Sequence, residues 1–147
     1  MANTISSAIV SYSCREVTYY FTLASDGSEE TGLVVYDSSV VATQLAAITP
    51  GFTDPLTSRI LEVYASVSAA GAVAAGAGAR VKLLWDANTD VLALDIPSAT
   101  NATKGNFRRI GGLLNKGSTG ITGDILLTTT GLESGDAITI VLTVGAY

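Results

Sequence analysis

Asp136-Ala137-Ile138-Thr139-Ile140-Val141-Leu142-Thr143-Val144 is the stretch that decides the fold. Ile138, Ile140, Leu142 and Val144 alternate with Thr139, Val141 and Thr143. Successive side chains of a strand point to opposite faces, so period two puts one face in a core and leaves the other wet or lightly covered. The same alternation runs through Val17-Thr18-Tyr19-Tyr20-Phe21-Thr22-Leu23 and Leu61-Glu62-Val63-Tyr64-Ala65-Ser66-Val67. Their β-branched and aromatic side chains suit a pleated, half-buried surface.

Outward from these runs, turn residues divide the chain. Ser25-Asp26-Gly27-Ser28 separates the strand ending near Leu23 from one over Gly32–Tyr36, and Ala87-Asn88-Thr89-Asp90 joins Val81–Asp86 to Val91–Ile96 as a short hairpin. Gly131-Leu132-Glu133-Ser134-Gly135 links Asp124–Thr130 to Asp136–Val144. Gly123-Asp124 and Gly135-Asp136 each open an apolar, threonine-rich strand, which reads as two sides of one hairpin. With an early strand over Ile5–Tyr12, about eight strands result. The expectation is an all-β, jelly-roll-like antiparallel β-sandwich, a single domain over residues 1–147.

Three stretches depart from this pattern. Val41, Leu45 and Ile48 have helical spacing, and Ser38 or Ser39 can cap, so a short helix is expected there until Gly51-Phe52-Thr53-Asp54-Pro55 breaks it. Ala69–Ala79 is alanine and glycine with one valine, either a plain loop or a segment whose small residues admit a neighbouring subunit. Pro97–Gly120 reads as a long irregular segment, and segments of that length are commonly functional or disordered.

Composition narrows the function. Of 147 residues only 14% are charged, against about 25% in an average soluble domain. Hydrophobic residues make up 48%, and mean hydropathy is +0.42. A solitary soluble subunit needs more charge to avoid apolar patches, so a membrane or a permanent partner is implied. Ala69–Ala79 is far short of the ~20 strongly apolar residues of a span, and Met1–Ser7 has no basic residue ahead of an apolar core, so no secretory signal is expected. A homo-oligomeric assembly without a membrane is the better reading. The formal charge of −5 disfavours direct contact with nucleic acid.

The usual chemistry is missing. There is no histidine, which removes Ser-His-Asp and Cys-His catalysis and the usual zinc sites. The one cysteine, Cys14, forms no internal disulfide, and no phosphate-binding glycine motif is present. Asp86 with Asp90, or Asp124 with Asp136, could pair as glycosidase carboxylates do, or hold a calcium ion. Each pair flanks a turn, where aspartate is common for its backbone hydrogen bonds. No cofactor and no catalytic residue is expected, and the chain reads as no enzyme. Four of the eight basic residues, Lys104, Arg108, Arg109 and Lys116, fall in one thirteen-residue window. They form either a solvated loop or a docking arm, with the arginines as anchors and Phe107 as an apolar plug.

Leu83-Leu84-Trp85-Asp86-Ala87-Asn88-Thr89-Asp90-Val91-Leu92-Ala93-Leu94-Asp95-Ile96-Pro97, Ile110-Gly111-Gly112, Thr122-Gly123-Asp124-Ile125-Leu126-Leu127-Thr128-Thr129-Thr130, Ser134-Gly135-Asp136 and Thr139-Ile140-Val141-Leu142 follow in order. Over about residues 81–144 the chain thereby resembles small virion structural proteins of tailed bacteriophages, cyanophages among them. The resemblance implies an auxiliary capsid protein, a decoration or cement protein. Such a protein sits as a trimer on the head with the major capsid protein as partner, made in the host cytoplasm and carried on the virion. It brings no catalytic residues. Trp85 reads as a core residue, Asp86 and Asp90 as turn residues, and Gly111 and Gly112 as positions for positive φ. The alternatives are a head-fibre, tail or host-binding virion component, and a small carbohydrate-active β-sandwich.

Overall fold

The computed structural model describes residues 2–12, 16–47, 58–68, 80–97, 103–117 and 119–146. The strands are β1 (Thr4–Tyr12), β2 (Glu16–Asp26), β3 (Leu33–Tyr36), β4 (Ser58–Ser68), β5 (Arg80–Trp85), β6 (Val91–Pro97), β7 (Thr103–Asn106), β8 (Leu113–Leu114), β9 (Ile125–Thr130) and β10 (Ser134–Ala146). One helix, α1 (Ser38–Ala46), follows β3, and one tight helical turn (Arg108–Ile110) separates β7 from β8. Cys14, the Gly51–Pro55 breaker, the Ala69–Ala79 stretch and Ile48 lie outside the described residues.

The first sheet runs β1-β2-β10-β4-β7, with β8 also on β4; the second runs β3-β9-β5-β6. The pairs β2·β10, β3·β9, β4·β7 and β5·β6 nest inside one another as the rungs of a single long hairpin. The added contacts β10·β4 and β9·β5 show that this hairpin is rolled up into two facing sheets. That is the jelly roll, an all-β sandwich, with β1 added outside it.

The alternating stretch at 138–144 lies at the centre of the first sheet, in β10. Ile138, Ile140, Leu142 and Val144 are each 1% exposed. They stand in rows with Leu23 and Val67, Phe21 and Ala65, Tyr19 and Val63, and Val17 and Ile60. Val81, Leu83 and Trp85 of β5 and Ile125 and Leu127 of β9 face them from the second sheet. The uncovered face is polar, and Thr18 and Thr143 share a hydrogen bond there across β2 and β10.

The helix forms where the spacing places it, but its cap is Asp37. The Asp37 carboxylate accepts the N–H groups of Ser39 and Val40, both at 3.0 Å, satisfying two donors of the first turn. Those bonds, led by the one from the Ser39 hydroxyl, hold the Asp37 carboxyl below its ordinary range. Ser38, read as a cap, is instead buried, and its N–H and hydroxyl both reach Asp124. Val41, 1% exposed, belongs to the hydrophobic core.

Two expectations need correction. The strands on either side of Gly131–Gly135 are not a hairpin: β9 belongs to the second sheet and β10 to the first. Facing sheets are about 10 Å apart, a gap that the three residues between β9 and β10 span as easily as they would reverse a strand. Leu132, 6% exposed, anchors that crossing in the core, and its N–H bonds the Glu29 carboxylate. The Pro97–Gly120 segment is not all irregular, since it supplies β7 and β8. Thr103-Lys104-Gly105-Asn106 has no apolar alternation to announce a strand; it forms by backbone pairing to β4.

Candidate functional site

The basic window lies at the far edge of the first sheet from β1, and the structure divides it. Phe107 is held by its own backbone. Its N–H bonds Leu61 O at 2.8 Å, and its carbonyl accepts the N–H groups of Ile110 and Gly112. The ring is half-buried against the core, and a Cβ on Gly105 would lie 2.7 Å from it. Glycine at 105 makes room for a ring that closes the protein's own core.

Arg108 is engaged within the chain. Its guanidinium meets Glu16 through two hydrogen bonds, Nη1 to Oε1 at 2.6 Å and Nη2 to Oε2 at 2.9 Å. Its Nε reaches Glu62 Oε1 at 2.7 Å. Glu16 starts β2 and Glu62 lies in β4, so one side chain ties the window across the polar face of three central strands. The Glu16 and then the Glu62 hydrogen bonds raise the Arg108 pKa further above its ordinary value. Asn106 supports the arrangement by accepting the Arg108 N–H and donating to Glu62.

The remaining three cations are exposed. Lys104 stands on the same polar face, its Nζ 5.8 Å from the Tyr64 ring centroid, at the outer limit of a cation–π contact. Arg109 projects from the tight helical turn, and Lys116 follows β8. The turn ends on Gly111 and Gly112, with φ of 82° and 88° as the sequence led one to expect. At Gly112 a Cβ would lie 2.9 Å from Arg59 Cβ and 3.3 Å from Ile60 O, so no side chain fits. Arg59 secures the turn from below, donating to Gly111 O at 3.0 Å.

Between this turn and β8 on one side and β6 on the other lies a cleft of about 320 Å³. Leu92 (53% exposed), Ile110 (73%) and Leu114 (45%) line it, Lys116 stands at its rim, and Val91 and Trp85 lie deeper. Trp85 is 1% exposed, and its Nε1 is buried with no hydrogen-bond acceptor among the described residues. A buried donor without a partner costs about 1–3 kcal/mol, a cost borne inside the core, because Nε1 is closed off from the cleft. Its exposed apolar residues escaped the sequence reading. The signal was the unbroken Val91-Leu92-Ala93-Leu94, where an edge strand carries apolar side chains on both faces.

The aspartates do backbone work. Asp124 accepts the Ser38 N–H at 2.8 Å and its hydroxyl at 2.9 Å. Burial raises the Asp124 pKa; the Ser38 bonds oppose this, and the nearby Asp37 and Asp86 charges add to it. Asp86 takes the Thr122 hydroxyl, Asp90 the Ala87 N–H, and Asp136 the Glu133 N–H. The structure therefore sets Asp86 beside Asp124, and leaves Asp90 and Asp136 each closing its own turn. Among the described residues no three acidic, histidine or cysteine side chains gather as a metal site, and no helix is long and apolar enough to cross a membrane.

Compared with known proteins, the chain matches no family model, and no curated protein or solved structure is significantly similar to it.

Proposed function

We propose that this chain is an auxiliary capsid protein of a tailed bacteriophage, a homotrimeric decoration protein that binds the assembled head and cements contacts between major capsid subunits. One observation carries the reading: a jelly roll with few charges presents large apolar side chains along two of its edges. Ile5, Val10 and Tyr12 are exposed on β1, and Leu92, Ile110 and Leu114 in the cleft. Large exposed apolar side chains gathered on an edge serve contact with another protein. The resemblance over residues 81–144 names the setting, a virion surface. Within the basic window, Lys104, Arg109 and Lys116 are exposed cations available to acidic partners.

The mechanism is linkage. A protein that binds only the intact shell stabilises it by mass action, and copies bridging neighbouring subunits resist their separation. Catalysis has less support, because the four turn aspartates are engaged with backbone and hydroxyl donors. A host-binding knob would gather exposed aromatic residues, whereas Tyr12 and Tyr64 stand on β1 and β4, with two strands between them. Quantitative mass spectrometry of purified particles tests the assignment. Hundreds of copies on the head support it, a handful on the tail support a tail or fibre role, and absence from particles ends it.

A further inference from the structure

The two apolar strips lie on opposite edges of the molecule, and they differ in kind. β1 is an edge strand with eight of its nine residues exposed and only Ile9 half-buried. At about 3.3 Å per residue it offers roughly 30 Å of backbone edge. Native proteins protect such edges with charge, proline, brevity or bulges. The other edges follow that rule: β3 and β7 have four residues each, β7 carries Lys104, and β6 carries Asp95 and Pro97. β1, Thr4-Ile5-Ser6-Ser7-Ala8-Ile9-Val10-Ser11-Tyr12, has no charge and no proline. Its one irregularity, at Val10, follows six regularly paired residues.

The cleft on the far edge lacks what β1 carries. Its walls are apolar and open to solvent at Leu92, Ile110 and Leu114, and β1 brings the exposed apolar side chains of Ile5, Val10 and Tyr12 to fill it. The charges also match. Asn3, just before β1, bonds Ser28 O and the Glu30 carboxylate and accepts the Asp26 N–H. This sets the acidic Asp26–Glu30 loop beside the start of the strand. The cleft has Lys116 at its rim and exposed Arg109 next to Ile110.

We propose that copies of this chain join head to tail, the β1 edge of one lying in the β6–β8 cleft of the next. Two different patches in contact make a heterologous interface, which closes into a ring where the rotation between copies closes and runs on as a filament where it does not. The trimer of the decoration-protein reading, on which this inference rests, is such a ring. The arrangement assigns Arg109 and Lys116 to the contact between copies and leaves Lys104 and the polar face of the first sheet for the shell.

The test needs no capsid. Sedimentation is measured for the full chain, for Val10→Lys on β1 and for Ile110→Glu in the cleft. Both substitutions fall on highly exposed side chains, 63% and 73%, so circular dichroism should match the parent, and urea melting should match it at concentrations low enough to dissociate the parent. The expected result is a ring for the parent and a monomer for each variant. A mixture of the two variants should recover a one-to-one pair, because one intact strip remains on each. A parent that stays monomeric at tens of micromolar overturns the proposal. So does an Ile110→Glu protein that still dimerises while Val10→Lys does not, the mark of β1 pairing with β1. Two variants that both keep the parental assembly also overturn it. Head binding is scored separately: a monomer that decorates heads refutes the ring alone, and a ring that ignores heads refutes the decoration reading alone.

Discussion

Arg108 offers the sharpest test of how the basic window is built. Its guanidinium is clamped between Glu16 and Glu62. Its side chain is 40% exposed, and those of its partners 29% and 43%, so solvent screens both pairs. Exposed ion pairs contribute about 0.2–1 kcal/mol each. The two-bond fork to Glu16 belongs near the top of that range and the single bond to Glu62 near the middle, so Arg108→Met should cost about 1.5 kcal/mol in total. With a urea slope of about 1–3 kcal/mol/M, the unfolding midpoint should fall by roughly 0.5–1.5 M. A double-mutant cycle with Glu16→Gln should return a coupling of about 0.5–1 kcal/mol, shrinking as salt is raised. A midpoint unchanged by Arg108→Met, or zero coupling to both glutamates, would refute the clamp.

Two further outcomes follow from the buried polar groups and the turn. Asp124→Asn keeps an oxygen for both Ser38 bonds but removes a charge that burial, Asp37 and Asp86 oppose, so it should match or exceed the parent at pH 7. Because the folded carboxyl binds its proton more tightly than the unfolded one, the parent should lose stability relative to this variant as pH rises from 3.8 through the raised value. Asp124→Ala strands the buried Ser38 donors and should cost about 1–3 kcal/mol at any pH; equal losses for Asn and Ala would contradict the assignment. Gly112→Ala must hold a φ of 88° and find room 2.9 Å from Arg59 Cβ. It should cost about 2 kcal/mol or more in thermal or urea melts, and a neutral result would mean the turn is not as described.

What could be read from the chain follows from which forces leave a local trace. Burial on one face of a strand writes period two into the sequence, so β2, β4 and β10 were legible at Val17–Leu23, Leu61–Val67 and Ile138–Val144. The rolled-up pairing was not: whether β9 returns beside β10 or crosses to the other sheet depends on partners far away in the chain, β3 and β5. β7 was invisible because its Thr-Lys-Gly-Asn has no apolar alternation and joins the sheet through backbone pairing to β4. For the window 104–116, charge flagged the region, yet fate was decided by distant residues, Glu16 and Glu62 for Arg108 and Leu61 for Phe107. The cleft arises where β6 and β8 come close across the sandwich, so no single stretch spells it out.

The most direct measurement is binding of the purified protein to intact heads emptied of it, set against binding to dissociated capsid subunits, with the thermal opening of the heads followed in both states. The account predicts saturable binding to assembled heads only, at a stoichiometry of hundreds per particle, and a higher opening temperature for decorated heads. Equal affinity for free subunits and shells, or decorated heads that open at the temperature of bare ones, would contradict it.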